Sequence, residues 1–187
     1  MIIDSHVHFW KYNKKRDTWI TNDMKILQQD YLPEHFALTA KRNEIDAVIT
    51  VQADQSELET HFLVELAKTH PLIKGVVGWI DLCGPDLPKR LDYFSQFPII
   101  KGWRHIVQAE PDDFLLREDF QKGVSALKQF DYTYDILIYP QQLPATLSFV
   151  EKLHDQKLII DHCAKPDINT KKTENWSLLI KEIAKHP

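Results

Sequence analysis

Two histidines stand one residue apart almost at the start of the chain, in Asp4-Ser5-His6-Val7-His8. On a β-strand, residues i and i+2 project to the same face, so His6 and His8 converge there, with Asp4 one step behind. Two converging imidazoles can ligate a metal or jointly polarise a carbonyl oxygen. Two ordinary structural histidines are the plainer reading; a place on the strand that opens a β/α series weighs against it. Arg104-His105 follows Lys101-Gly102-Trp103. The planar fork of Arg104 suits a carboxylate or a polyhydroxy acid, and pleat alternation lets at most one of the two side chains point inward. The plainer alternative for Arg104 is a surface pair with Glu110 or Asp112. A third cluster, Asp161-His162-Cys163-Ala164-Lys165-Pro166, closes an apolar run. His162 offers a third imidazole, Lys165 a loop cation for an anionic substrate, and Asp161 is expected to face away from His162. Cys163 reads as a small buried residue rather than a nucleophile.

The elements that must position these residues alternate. Short apolar runs at 2–9, 47–53, 73–80, 99–107, 134–138 and 157–163 predict six strands buried on both faces of a parallel sheet. Amphipathic patterns at 33–43, 57–68, 87–94, 120–129, 143–156 and 175–185 predict the intervening helices. Alternation of this kind builds right-handed βαβ units. A doubly wound sheet and a (β/α)8 barrel both satisfy it. No G-x-G-x-x-G follows the first strand, and polar residues gather at the C-terminal ends of several strands, which is the barrel's habit.

The 187 residues, 43% hydrophobic and 27% charged, suit one folded domain. A net charge of −4 leaves no basic footprint for nucleic acid. No apolar run is long enough for a membrane helix, and the N-terminus lacks the basic and apolar regions of a signal peptide. Two cysteines make no disulfide framework, so a cytoplasmic location is the simplest expectation.

The motifs D-S-H-V-H-F-W at 4–10, K-G-W-R-H at 101–105 and D-H-C-A-K-P at 161–166 together resemble the amidohydrolase-related (amidohydrolase 2) family of TIM-barrel hydrolases. Within it, the sugar lactonase and 2-pyrone-4,6-dicarboxylate lactonase branch is the most similar. The resemblance implies a distorted (β/α)8 barrel of the metal-dependent hydrolase type that opens a cyclic ester. It implies that His6, His8 and His162 surround the lactone carbonyl, either donating to the oxyanion directly or holding a divalent metal such as zinc or manganese. In this branch no metal is implied to be required. Arg104 and His105 are then substrate-binding, Trp10 lines the pocket, and Lys165 meets an anionic or sugar-acid lactone. The rivals are a metal-dependent amidohydrolase or decarboxylase on the same scaffold, and an inactive fragment.

The family also uses an aspartate at the end of the eighth strand, in a G-S-D-W-P-like motif, to activate water. Only six strands are predicted here. Ala184-Lys185-His186-Pro187 repeats the pattern of Ala67-Lys68-Thr69-His70-Pro71, which closes a helix just before a strand. The expectation is a single domain over 1–187 that holds the first six β/α units of a barrel, with an open edge that favours homo-oligomers.

Overall fold

The computed structural model describes residues 1–171 and 173–186. The chain divides into two compact units, Met1–Gly78 and Trp79–Pro187.

The first unit carries β1 (Ile3–Val7), α1 (Pro33–Arg42), β2 (Ala47–Val51), α2 (Glu57–Thr69) and β3 (Ile73–Gly78). Its strands are parallel, with β2 between β1 and β3. β2 is the β-branched run Ala-Val-Ile-Thr-Val, and Val48 and Val51 are fully buried. Such residues fill a sheet covered on both faces. Leu63 and Val64 of α2 pack out of solvent in the same unit. Ser56 caps α2 by accepting the Glu59 N–H, and Pro33 opens α1, where its missing N–H costs no helical bond. β1 is shorter than the predicted 2–9, because Trp10 leaves the parallel ladder to bridge Tyr31 in antiparallel sense. The pairing of β1 with β2 shifts register between Asp4 and Val7, around His6.

The second unit carries α3 (Leu87–Ser95), β4 (Ile100–His105), α4 (Glu118–Ala126), β5 (Thr133–Ile136), α5 (Leu143–Lys152), β6 (Leu158–Ile160) and α6 (Glu174–Ile183). β5 lies between β4 and β6, all parallel. The core is aromatic: Trp103, Tyr134, Phe94, Phe120 and Phe149 are essentially inaccessible. Gly102 is required at its place in β4, since a Cβ there would stand 2.0 Å from the Thr133 hydroxyl. The six predicted strands are therefore all present, each followed by its helix. The boundary that matters most for the site is that of the last strand. β6 stops at Ile160 instead of continuing to Cys163, because residues 162–165 turn to positive φ.

Candidate active site

In the first unit the site is a pair of rings. His6 lies in β1 and His8 one residue beyond it, and their Nε2 atoms stand 3.2 Å apart with the rings edge to face. His8 Nδ1 lies 2.8 Å from the Val51 carbonyl oxygen. A carbonyl only accepts, so Nδ1 carries the proton, and neutral His8 turns the lone pair of Nε2 toward His6. Two nitrogens held by a tetrahedral zinc at about 2.0–2.1 Å would be roughly 3.3–3.4 Å apart. The observed spacing fits a shared divalent ion as well as a shared proton. Asp4, expected behind the pair, accepts the His6 backbone N–H. Trp10 packs its ring on Tyr31, with centroids 4.5 Å apart, and its indole nitrogen is buried without a partner among the described residues.

The loop after β2 is fixed by a residue that the spacing of the motifs did not single out. The Glu59 carboxylate, 5% exposed, accepts the N–H groups of Ala53 and Asp54. Burial pushes its pKa up, against the pull of those two donors.

In the second unit the end of β4 splits as the pleat requires. Arg104 turns into the interior at 3% exposure and donates from Nη1 to Asp161 Oδ2 at 2.9 Å. Its partner is thus the buried Asp161 and not the surface Glu110 or Asp112. Asp135, also buried, sits opposite Arg104 in the β4–β5 register. His105 takes the other side. Trp79 Nε1–H donates to His105 Nδ1 at 3.3 Å, and His105 Nε2 lies 3.0 Å from Glu110 Oε1. An indole N–H only donates, so Nδ1 is bare and the proton sits on Nε2 toward Glu110. Phe114 stacks on the same imidazole, 6° from parallel.

After β6 the chain makes a left-handed turn. His162, Cys163, Ala164 and Lys165 have φ of 51°, 52°, 57° and 49°. Each non-glycine residue in this region costs about 1–2 kcal/mol, so four in a row must be held by their surroundings. Lys165 N–H returns to the His162 carbonyl at 2.9 Å, and Trp176 of α6 donates its indole N–H to the Cys163 carbonyl at 2.7 Å. Ala164 is fully buried, while Cys163 is exposed, contrary to the expectation of a small buried residue. A ring nitrogen of His162 and a carboxylate oxygen of Asp161 come within 4.8 Å of one another. The expectation that Asp161 faces away from His162 rested on strand alternation, which ends with β6. Lys165 extends its ammonium to Gln108 Oε1 at 2.6 Å and over the Tyr139 ring at 5.2 Å. Burial lowers its pKa, the charge of Arg104 adds to that, and Asp161 opposes it.

The amidohydrolase family model matches residues 3–187. The chain belongs to the amidohydrolase family. It is 36% identical over 192 residues to an L-fucono-1,5-lactonase of Burkholderia multivorans, across 99% of this chain and 64% of that protein. An L-fucono-1,5-lactonase of Burkholderia ambifaria is 28% identical over 186 residues, again across 99% of this chain and 64% of its own length. Among solved structures, an amidohydrolase from Burkholderia multivorans with bound zinc superposes with a TM-score of 0.94 at 36% identity, over 100% of this chain and 67% of that one. The chain spans 64% of the length of these two lactonase relatives. Its six β/α units are those of the amidohydrolase barrel fold. Among the described residues, no helix is long and apolar enough to cross a membrane.

Proposed function

We propose that this amidohydrolase opens the lactone of a sugar acid. Water adds to the ring carbonyl, the acyl carbon–ring oxygen bond breaks, and the ring oxygen leaves as the hydroxyl of the open acid. The observation that carries this reading is the His6–His8 pair, with its Nε2 atoms 3.2 Å apart, in a chain 36% identical to an L-fucono-1,5-lactonase. His6, His8 and His162 are assigned to the carbonyl oxygen, where imidazole N–H groups stabilise the charge that develops on it. Because His8 Nδ1 is committed to the Val51 carbonyl, its Nε2 donates only when the ring is protonated; His6 is the donor of the neutral pair. Trp10, whose buried indole N–H has no partner among the described residues, and Lys165 are assigned to substrate oxygens. Arg104 and His105 keep their assignment to substrate oxygens, each oriented by an acidic partner, Asp161 and Glu110.

A divalent ion such as zinc or manganese also fits the spacing of the His6 and His8 nitrogens; the family resemblance would add His162 as a ligand, and the ion would polarise the carbonyl as a Lewis acid. The zinc in the 36% identical structure favours this second reading.

A pH-stat assay of the protein against a panel of sugar 1,5- and 1,4-lactones, with and without chelator, tests the proposal. Acid release with a sugar lactone is expected. Loss of that release on chelation, restored by zinc or manganese, selects the metal-assisted form. No release from any lactone under either condition overturns the assignment.

A further inference from the structure

The turn at 162–165 puts two proposed site residues, His162 and Lys165, at the ends of four consecutive left-handed non-glycine residues. Nothing local favours that conformation: the β-carbons of His162, Cys163, Ala164 and Lys165 all disfavour it. Pro166 discourages the right-handed helical alternative only for the residue before it, Lys165. The turn must be held from outside, and several ties can be named. Asp161, just before it, is fixed by the Arg104 ion pair at 2.9 Å. Lys165, at its end, bonds back to the His162 carbonyl and out to Gln108. The middle is tied by Trp176, whose indole N–H reaches the Cys163 carbonyl at 2.7 Å from thirteen residues away.

We propose that Trp176 is a positioning residue: by donating to the Cys163 carbonyl it locks the left-handed turn that sets where the His162 imidazole and the Lys165 ammonium stand. The inference rests on the assignment of His162 and Lys165 to the substrate. Its structural half can be read without any substrate. A carbonyl of a right-handed or extended residue 163 would point elsewhere, so the indole bond and the positive φ values form or fail together. Glycine populates positive φ freely. Cys163→Gly therefore makes the turn less dependent on its external tie.

The experiment uses the full chain in three forms: wild type, Trp176→Phe, and Trp176→Phe with Cys163→Gly. In wild type, NMR is expected to show strong intraresidue HN–Hα cross-peaks for 162–165, the mark of positive φ. The Trp176 indole N–H is expected to exchange more slowly than that of Trp19, which is 56% exposed. In Trp176→Phe the strong cross-peaks weaken and sugar-lactone turnover falls about tenfold, while the melting temperature moves by only a few degrees. Adding Cys163→Gly restores both the cross-peaks and most of the turnover, which simple loss of indole packing does not predict. Positive φ at 162–165 that survives Trp176→Phe overturns the proposal, whatever the activity. A fast-exchanging Trp176 indole in wild type overturns it too, and this readout stands even if the variant does not fold. Turnover absent from wild type while the NMR arm behaves as expected removes the lactone reading and leaves the lock in place.

Discussion

The two units build their parts of the chemistry by opposite means. In the first, two imidazoles meet because they are two residues apart where one strand ends, and a bond from His8 to the Val51 carbonyl fixes which nitrogen is bare. In the second, Arg104 and Asp161 meet across 57 positions of sequence, both essentially dry, and a strained turn follows at once. The first arrangement is local, partly solvated and tolerant. The second is long-range, desolvated and all-or-none. A pair that stands in partial contact with water loses little folding energy when one member is removed, whereas a buried charge without its partner is costly.

The sharpest way to break the comparison is Arg104→Met. It strands the Asp161 carboxylate in the interior and is expected to destabilise the protein by about 3–5 kcal/mol. Adding Asp161→Leu removes the stranded charge and should recover much of that loss, because an apolar pair of similar volume is often as good as a buried ion pair. Urea melts of the two variants measure it. Equal stability of Arg104→Met and wild type would show that the pair is not the desolvated unit its 3% and 2% exposures indicate.

The corresponding change in the first unit is His6→Ala. Here the effect is expected on rate and not on folding: a fall of about 10²- to 10³-fold in kcat on a sugar lactone, the usual cost of one oxyanion donor. The melting temperature should stay near wild type. His8→Ala removes the ring that holds the His6 imidazole edge to face and is expected to lower kcat by less, again with little change in melting temperature. A large loss of stability with unchanged kcat in either variant would reverse the roles assigned to the two units.

This contrast also explains what was legible in the sequence. The six strands and their helices follow from periodicity and composition, which are local signals. So is H-x-H, whose two residues need only a strand to converge. Asp161 departs from the strand pattern for a physical reason. Strand alternation ends at Ile160, and no local pattern announces four left-handed residues in His-Cys-Ala-Lys. Partners fixed by folding alone stayed invisible, among them Gln108 for Lys165 and Trp176 for Cys163. Glu59 was nearer to view: three residues after Ser56, it is the glutamate of a capping box, which here reaches past the cap to the loop N–H groups of Ala53 and Asp54.

The smallest expected effects sharpen the comparison through pH, because each unit holds a titratable group beside its site whose folded state disfavours its charge. Glu59, in the first unit, has its pKa raised above 4.5 by burial. Its carboxylate form costs stability at neutral pH, and that cost fades as the pH falls through the folded pKa toward 4.5. Glu59→Gln keeps an oxygen for the Ala53 and Asp54 N–H groups and removes the charge, so it is expected to melt at or slightly above wild type at pH 7. Wild type then gains on it as the pH falls. Lys165, in the second unit, has its pKa lowered below 10.5, by burial first and by Arg104 second. The ammonium form costs stability at neutral pH, and the cost fades as the pH rises from the folded pKa toward 10.5. Lys165→Met is expected to melt at or slightly above wild type at pH 7 and to lose that advantage in alkali, while binding the substrate less tightly. The two differences in melting temperature should therefore drift in opposite directions across pH. If both drift the same way, at least one of these charges is solvated, and its unit is wetter around the site than its burial implies.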